Sequence, residues 1–398
     1  GATMAGSSGL TLKSDYTFGA TNAATTTGLV GNVATIAADT AGTVTAAITA
    51  GGSLTAAQIN SGLSTGSSAD DLTVTLAAAT VAATDITGID SKTATAVNTD
   101  AVTLITGTIS ETLAVETAHA ANTVDTGDAD TAYTISGTQT ATGTVGNVAT
   151  IAAATTGKVT AAITAGGSLT AAQINSGLST GSSADDLTVT LAAATVAATD
   201  ITGIDSKTAT AVNTDAVTLI TGTISETLAV ETAHAANTVD TGDADTAYTI
   251  SGTQTATGTV GNITTIAAAT SGTVTASIGS LSAADINTNL TSASDDAITI
   301  TTDSTTTTST ILNALDGKTS VAVVASAITA ITGDIAQGAT MAGSSGLTLK
   351  SDYTFGATNA ATTTGLVGNV ATIAADTAGT VTAAITAGGS LTAAQINS

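Results

Sequence analysis

The sequence predicts a repeat solenoid: a parallel β-strand plus a short helix or turn per coil of about 28 residues, with an all-β solenoid as the alternative. Three observations carry that expectation. A long block recurs exactly, a finer period of roughly 24–31 residues runs inside it, and each period switches from alternating to helical spacing of its apolar residues.

The long repeat comes first. Residues 1–61 recur letter for letter at 338–398, a period of 337 residues. Within it GNVATIAADT at 31 returns as GNVATIAAAT at 146 and GNITTIAAAT at 261. Residues 1–30 then close a 107-residue unit, 31–145 and 146–260 are near-identical 115-residue units, 261–367 is a 107-residue variant, and 368–398 begins the next unit. The two 115-residue copies differ only at Asp39/Ala154, Ala41/Thr156 and Thr43/Lys158. Identity this close implies recent duplication, and the chain is expected to be a window of a longer array forming one continuous solenoid.

The finer period is marked by Thr-rich, β-branched runs: KVTAAI from Lys158, LTVTL from Leu187, AVTLI from Ala216 and AYTI from Ala247. Counted this way, twelve coils fill 337 residues. Each would bury its apolar face only by stacking on its neighbours. In the strand half, Leu72-Thr73-Val74-Thr75-Leu76 alternates as a half-buried strand does. In the helical half, ISETLAVETAHAAN sets Ile109, Leu113, Val115 and Ala118 along one side. Capping-box patterns at Thr55–Gln58 and Thr108–Glu111 mark helix starts. Clusters such as STGSSADD and DTGDAD close turns. TATGTVGNVATIAAA, rich in Gly, Thr and Val, is a weak helix former, which keeps the all-β alternative open.

Composition excludes several classes. The chain of 398 residues carries 30 acidic residues against six lysines, a net charge of -24, with no Arg, Pro, Cys or Trp. Six scattered lysines cannot neutralise a nucleic-acid backbone. Without Cys there is neither a disulfide framework nor a thiolate metal site. A hydrophobic fraction of 42% disfavours disorder, and no uninterrupted apolar run reaches the roughly 18 residues of a membrane span. With 2% aromatic residues, the core must be built from small side chains.

The segments DITGIDSKTATAVNTDAVTLITGT at 85–108 and ILNALDGKTSVAVVASAITAITGD at 311–334 resemble the repeats of giant "beta strand repeat-containing" surface proteins of marine cyanobacteria and other aquatic bacteria. The resemblance implies a secreted, cell-surface or fibre-forming protein and assigns no catalytic residue.

The best chemical signal is acidic. Asp125, Asp128 and Asp130 in VDTGDADT, copied as Asp240, Asp243 and Asp245, have the spacing and the Gly turn to wrap a hard cation such as calcium. Asp71, Asp100 and Asp130, copied as Asp186, Asp215 and Asp245, each fall beside a strand start. In a solenoid they would stack at about 4.8 Å and share cations. In the variant unit only Asp296 keeps this pattern, Ser326 and Ser351 replacing the others. The plain alternative is that Asp starts turns and solubilises a strand edge.

His119 and His234 each follow a glutamate by three residues (Glu116, Glu231), a spacing that places both on one helical face. Further ligands are not evident, so a solvated face is the expectation. Lys92, Lys207 and Lys318 recur in DSKT/DGKT and read as turn residues. No nucleophile–base set can be assembled, so no enzyme is expected. A Thr-x-Thr ice-binding rank at Thr73/Thr75 or Thr299/Thr301 is broken by AAI, LIT and TIS in neighbouring coils. The functional expectation is a structural extracellular or cell-surface rod or fibre, self-associating or stacked on neighbouring repeats of the same chain, with calcium as a possible stabiliser. The alternative is the stalk of a large adhesin.

Overall fold

The computed structural model describes residues 1–126, 130–241, 245–292, 294–387 and 391–396. Among these, the chain is a repetitive α/β architecture of parallel sheets with interspersed helices, and no sheet closes into a barrel. It divides into two compact units, Gly1–Ala192 with Gly203–Asn213, and Ala193–Thr202 with Thr214–Ser398.

In the first unit one sheet orders the strands Phe18–Gly19, Val44–Thr49, Asp71–Thr75, Val97–Asn98 and Val124–Asp125. A second orders Thr80–Ala82, Leu104–Thr108, Ala132–Gln139, Val159–Thr164, Asp186–Thr190 and Val212–Asn213. These strands pair in parallel, and partners are separated by 23 residues (Thr75 to Asn98) to 28 residues (Leu104 to Ala132). Parallel neighbours need a crossover, and here a helix supplies it in each circuit. The helices Thr27–Asp39, Ala56–Gly62, Ala83–Asp90, Ile109–Ala120, Thr142–Ala154 and Ala171–Gly177 pack successively on one another.

Alternation decides which strand face is buried. Val44, Ala46 and Ile48 point inward while Thr45, Ala47 and Thr49 stay exposed. The same rule buries Leu72 and Val74. Both predicted capping boxes form, at Thr55–Gln58 and Thr108–Glu111. The segment read as a weak helix former is helical over Thr142–Ala154, because Val145, Val148 and Ile151 find a core to enter. That removes the all-β alternative. In Ile109–Ala120 the buried face is Ile109, Thr112 and Val115, so Thr112 takes the place expected of Leu113.

Most circuits carry two strand segments rather than the one expected. LTVTL is the first strand of its circuit, whereas the AVTLI and AYTI runs fall in second strands. The two series meet at Ala132–Gln139, which pairs with Leu104–Thr108 on one side and Val159–Thr164 on the other. Its register shifts between Thr134 and Thr138, around Gly137 at φ 77°, a bulge conformation that glycine reaches without strain.

The second unit repeats the scheme. One sheet orders Thr195–Ala197, Leu219–Thr223, Ala247–Gln254, Val274–Leu281, Ala297–Thr302, Val323–Ala325 and Leu347–Leu349, and another orders Thr306–Thr308, Ala330–Gly333, Thr354–Ala361 and Val381–Ile385. Two of its aromatic residues, Tyr353 and Phe355, pack with Leu312, Ile331, Met341 and Ile373.

Candidate functional site

Buried polar side chains join one circuit to the next. Asp70, only 4% exposed, accepts the Val44 N–H on Oδ1 and the Ser67 N–H on Oδ2, both at 3.0 Å. Asp185 repeats this with Val159 (2.9 Å) and Ser182 (3.0 Å), and Asp296 accepts from Val274 N at 2.8 Å. Asp296 is therefore the counterpart of Asp70 and Asp185, not of Asp71 and Asp186. Alternation carries the signal that sequence reading missed: Asp70 lies two residues before Leu72 and so shares its inward phase.

Thr93 extends the staple. Its buried hydroxyl donates to the Leu72 carbonyl at 2.8 Å and accepts the Leu72 N–H at 2.9 Å, and Thr208 and Thr319 act likewise. Thr155 Oγ1 donates to the Thr131 carbonyl at 2.7 Å and accepts from Gly157 N at 2.8 Å.

The acidic residues proposed as a cation site are dispersed. Asp71 heads its strand opposite Thr45 and accepts from the Thr95 hydroxyl. Asp100 accepts from Asn98 Nδ2 at 2.9 Å, beyond the far end of that strand, since Asn98 lies opposite Thr75. Asp130 precedes a strand of the other sheet. The expected column of Asp71, Asp100 and Asp130 does not form, because the runs counted as one series are divided between two sheets, and across the Leu104–Ala132 pairing Asp100 and Asp130 are two residues out of register. Asp125 lies opposite Asn98, and its carbonyl accepts from Thr99 N at 2.7 Å, while Asp240 takes Thr214 N in the same way. Asp186 pairs with Lys158 at 2.9 Å. Asp215 and Asp245 are exposed, two residues out of register across the Leu219–Ala247 pairing. Asp128 and Asp243 lie outside the described residues. Among the described residues no group of three or more His, Asp or Glu side chains is placed to hold a metal ion.

The Glu-x-x-His face is not solvated as expected. Tyr133 and Tyr248, each 1% exposed, donate their hydroxyls to Glu116 and Glu231. Burial first, then the carboxylate, pushes both phenol pKa values far up. Thr126 N donates to His119 Nδ1 at 3.4 Å, and Thr241 N to His234. Tyr353 takes its carboxylate from the following helix instead, donating to Asp376 at 2.9 Å, as Tyr16 does to Asp39. This explains Asp39/Ala154: Thr131 stands where Tyr16 and Tyr353 do, its carbonyl accepting from the following Thr in the same way, so an acid at 154 would have no phenol to accept. Lys158 in place of Thr43 gains the Asp186 pair. Nothing in the structure explains Ala41/Thr156.

Lys92 is more than a turn residue. Its Nζ donates to the Asn60 carbonyl near the end of the helix Ala56–Gly62, one circuit back, and to Asn60 Oδ1 at 2.7 Å. Asn60 Nδ2 donates onward to Asp85 Oδ1 at 3.0 Å. Desolvation holds the Lys92 pKa below its usual value, partly offset by Asp85. Lys207 makes the same contacts to Asn175, and Lys318 reaches the carbonyls of Asn287 and Leu290, both at 2.6 Å. Cations at helix C-termini complement the exposed carbonyls there.

Compared with protein-family models, curated proteins and solved structures, the chain matches none. No helix among the described residues is long and apolar enough to cross a membrane.

Proposed function

We propose that this is a structural tandem-repeat protein of the cell surface or extracellular matrix, its circuits stacked as a solenoid into a long rod or fibre, and not an enzyme. The observation that supports this reading best is the recurrence of one stapling scheme. Asp70, Asp185 and Asp296 each reach back to a backbone N–H of the preceding circuit, and Lys92, Lys207 and Lys318 to the carbonyls of an earlier helix. These polar groups hold circuits together. Exact repetition at 337 residues lets such a rod extend without a defined end. At about 4.8 Å per circuit, twelve circuits advance about 58 Å.

The net charge of -24 would keep rods apart until salt or divalent cations screen it. Calcium at the loops of Asp125, Asp128 and Asp130 is the cation-specific form of that idea. Cryo-electron microscopy of the native material, with and without a chelator, tests the proposal. Regular filaments with an axial repeat near 58 Å are expected, and single rods ending in a globular tip would make the chain an adhesin stalk instead.

A further inference from the structure

The turn that carries Lys92 assembles more than a helix cap. An amine, a side-chain amide and a carboxylate meet in sequence: Lys92 Nζ lies 2.7 Å from Asn60 Oδ1, and Asn60 Nδ2 lies 3.0 Å from Asp85 Oδ1. The amide is pressed from the other side by helix backbone, since a Cβ on Gly88 would fall 2.5 Å from Asn60 Oδ1. A nucleophile touching a carbonyl, with a proton carrier on the leaving nitrogen, is the arrangement that amide exchange requires. We propose that Lys92 and Asn60 join through an intramolecular amide bond, formed once per site, with Asp85 as proton carrier.

The step balances without any co-reactant. The Lys92 ammonium releases a proton to solvent, since Asp85 stands beside Asn60 Nδ2 rather than Nζ, and the neutral amine attacks Asn60 Cγ. Asp85, protonated from solvent, gives its proton to Nδ2 while Nζ sheds its second proton to water; the Cγ–Nδ2 bond breaks, ammonia leaves with the released proton as ammonium, and Cγ–Nζ remains as a neutral amide. Desolvation of the amine enlarges its neutral fraction in the same direction. The product ties the end of the helix Ala56–Gly62 to the turn after Ala83–Asp90, a covalent tie between successive circuits.

The chain holds its own comparison. The exact repeat carries the same three residues as Lys207, Asn175 and Asp200, and Lys207 Nζ lies 2.8 Å from Asn175 Oδ1. The variant unit keeps Lys318 and Asn287 but has Ile311 where Asp85 would stand, and its ammonium turns to two backbone carbonyls. Bonds are therefore assigned to Lys92 and Lys207 and not to Lys318.

Intact mass of the full chain reads this directly. Each bond removes one ammonia, about 17 Da, so the chain is expected about 34 Da lighter than its sequence, with trypsin cutting after Lys318 but not after Lys92 or Lys207. Lys92→Arg, which keeps the cap, and Asp85→Asn should each restore about 17 Da. An intact mass equal to the sequence mass overturns the proposal. So does a full loss that persists in Lys92→Arg, which would be cyclisation of Asn60 on its own backbone, and a full loss in Asp85→Asn removes the carrier role.

Discussion

Removing the carboxylate of Asp70 would leave the N–H groups of Val44 and Ser67 without an acceptor in a buried place. Two charge-assisted bonds are lost, so Asp70→Ala should cost about 3 kcal/mol, read as a lower urea midpoint, whereas exposed Asp71→Ala should stay within about 0.5 kcal/mol. Equal effects would mean that the staple carries no weight. Gly157 is a second such position. A Cβ there would stand 2.3 Å from the Asp130 carbonyl and 2.5 Å from that of Thr131, both backbone atoms that cannot swing aside. Gly157→Ala should therefore destabilise by about 3 kcal/mol. The buried phenols set a pH dependence. Because Tyr133 and Tyr248 have raised folded-state pKa values, their contribution is whole below the ordinary value of 10.0 and is lost as pH climbs beyond it. A Tyr133→Phe, Tyr248→Phe chain should lose less stability above pH 10 than the parent, in thermal melts compared pH by pH.

Helices here owe more to packing than to propensity. Thr142–Ala154 contains Gly143 and Gly146 with several β-branched residues, and it has no side-chain cap at Ala141. Its copy Thr27–Asp39 is capped by Thr26, which accepts from Leu29 N at 3.4 Å. Ala141→Thr should accordingly add about 0.5–1 kcal/mol, measured by denaturant unfolding. A peptide of residues 141–155 should show little helix by circular dichroism, since its apolar face has nothing to enter. Helix starts with a full capping box were legible because Thr and Gln or Glu bond locally. The two-strand circuit was not, because short strands such as Val97–Asn98 offer too few residues to show a period.

At the scale of the whole molecule the governing quantity is charge. A pI near 4.1 and six lysines leave carboxylates unneutralised along the array. Thermal stability and self-association should both rise with added salt, and equally with magnesium or calcium at matched ionic strength if screening suffices. A calcium-specific increment that vanishes in Asp125→Asn with Asp128→Asn would establish a site at those loops. Of the acids at the strand starts, the sequence marked exposed Asp71 and passed over Asp70, which looks identical in composition and differs only in which face it occupies.

The repeat boundaries, twelve circuits per 337 residues, alternating strand faces and capped helix starts follow from the order of residues alone, because each rests on local spacing or identity. Which strand joins which sheet was decided by tertiary structure. So were the burial of Asp70 rather than Asp71 and the meeting of Lys92 with Asn60 and Asp85. Those depend on contacts between residues 23–32 positions apart, where a shift of one residue moves a side chain to the opposite face.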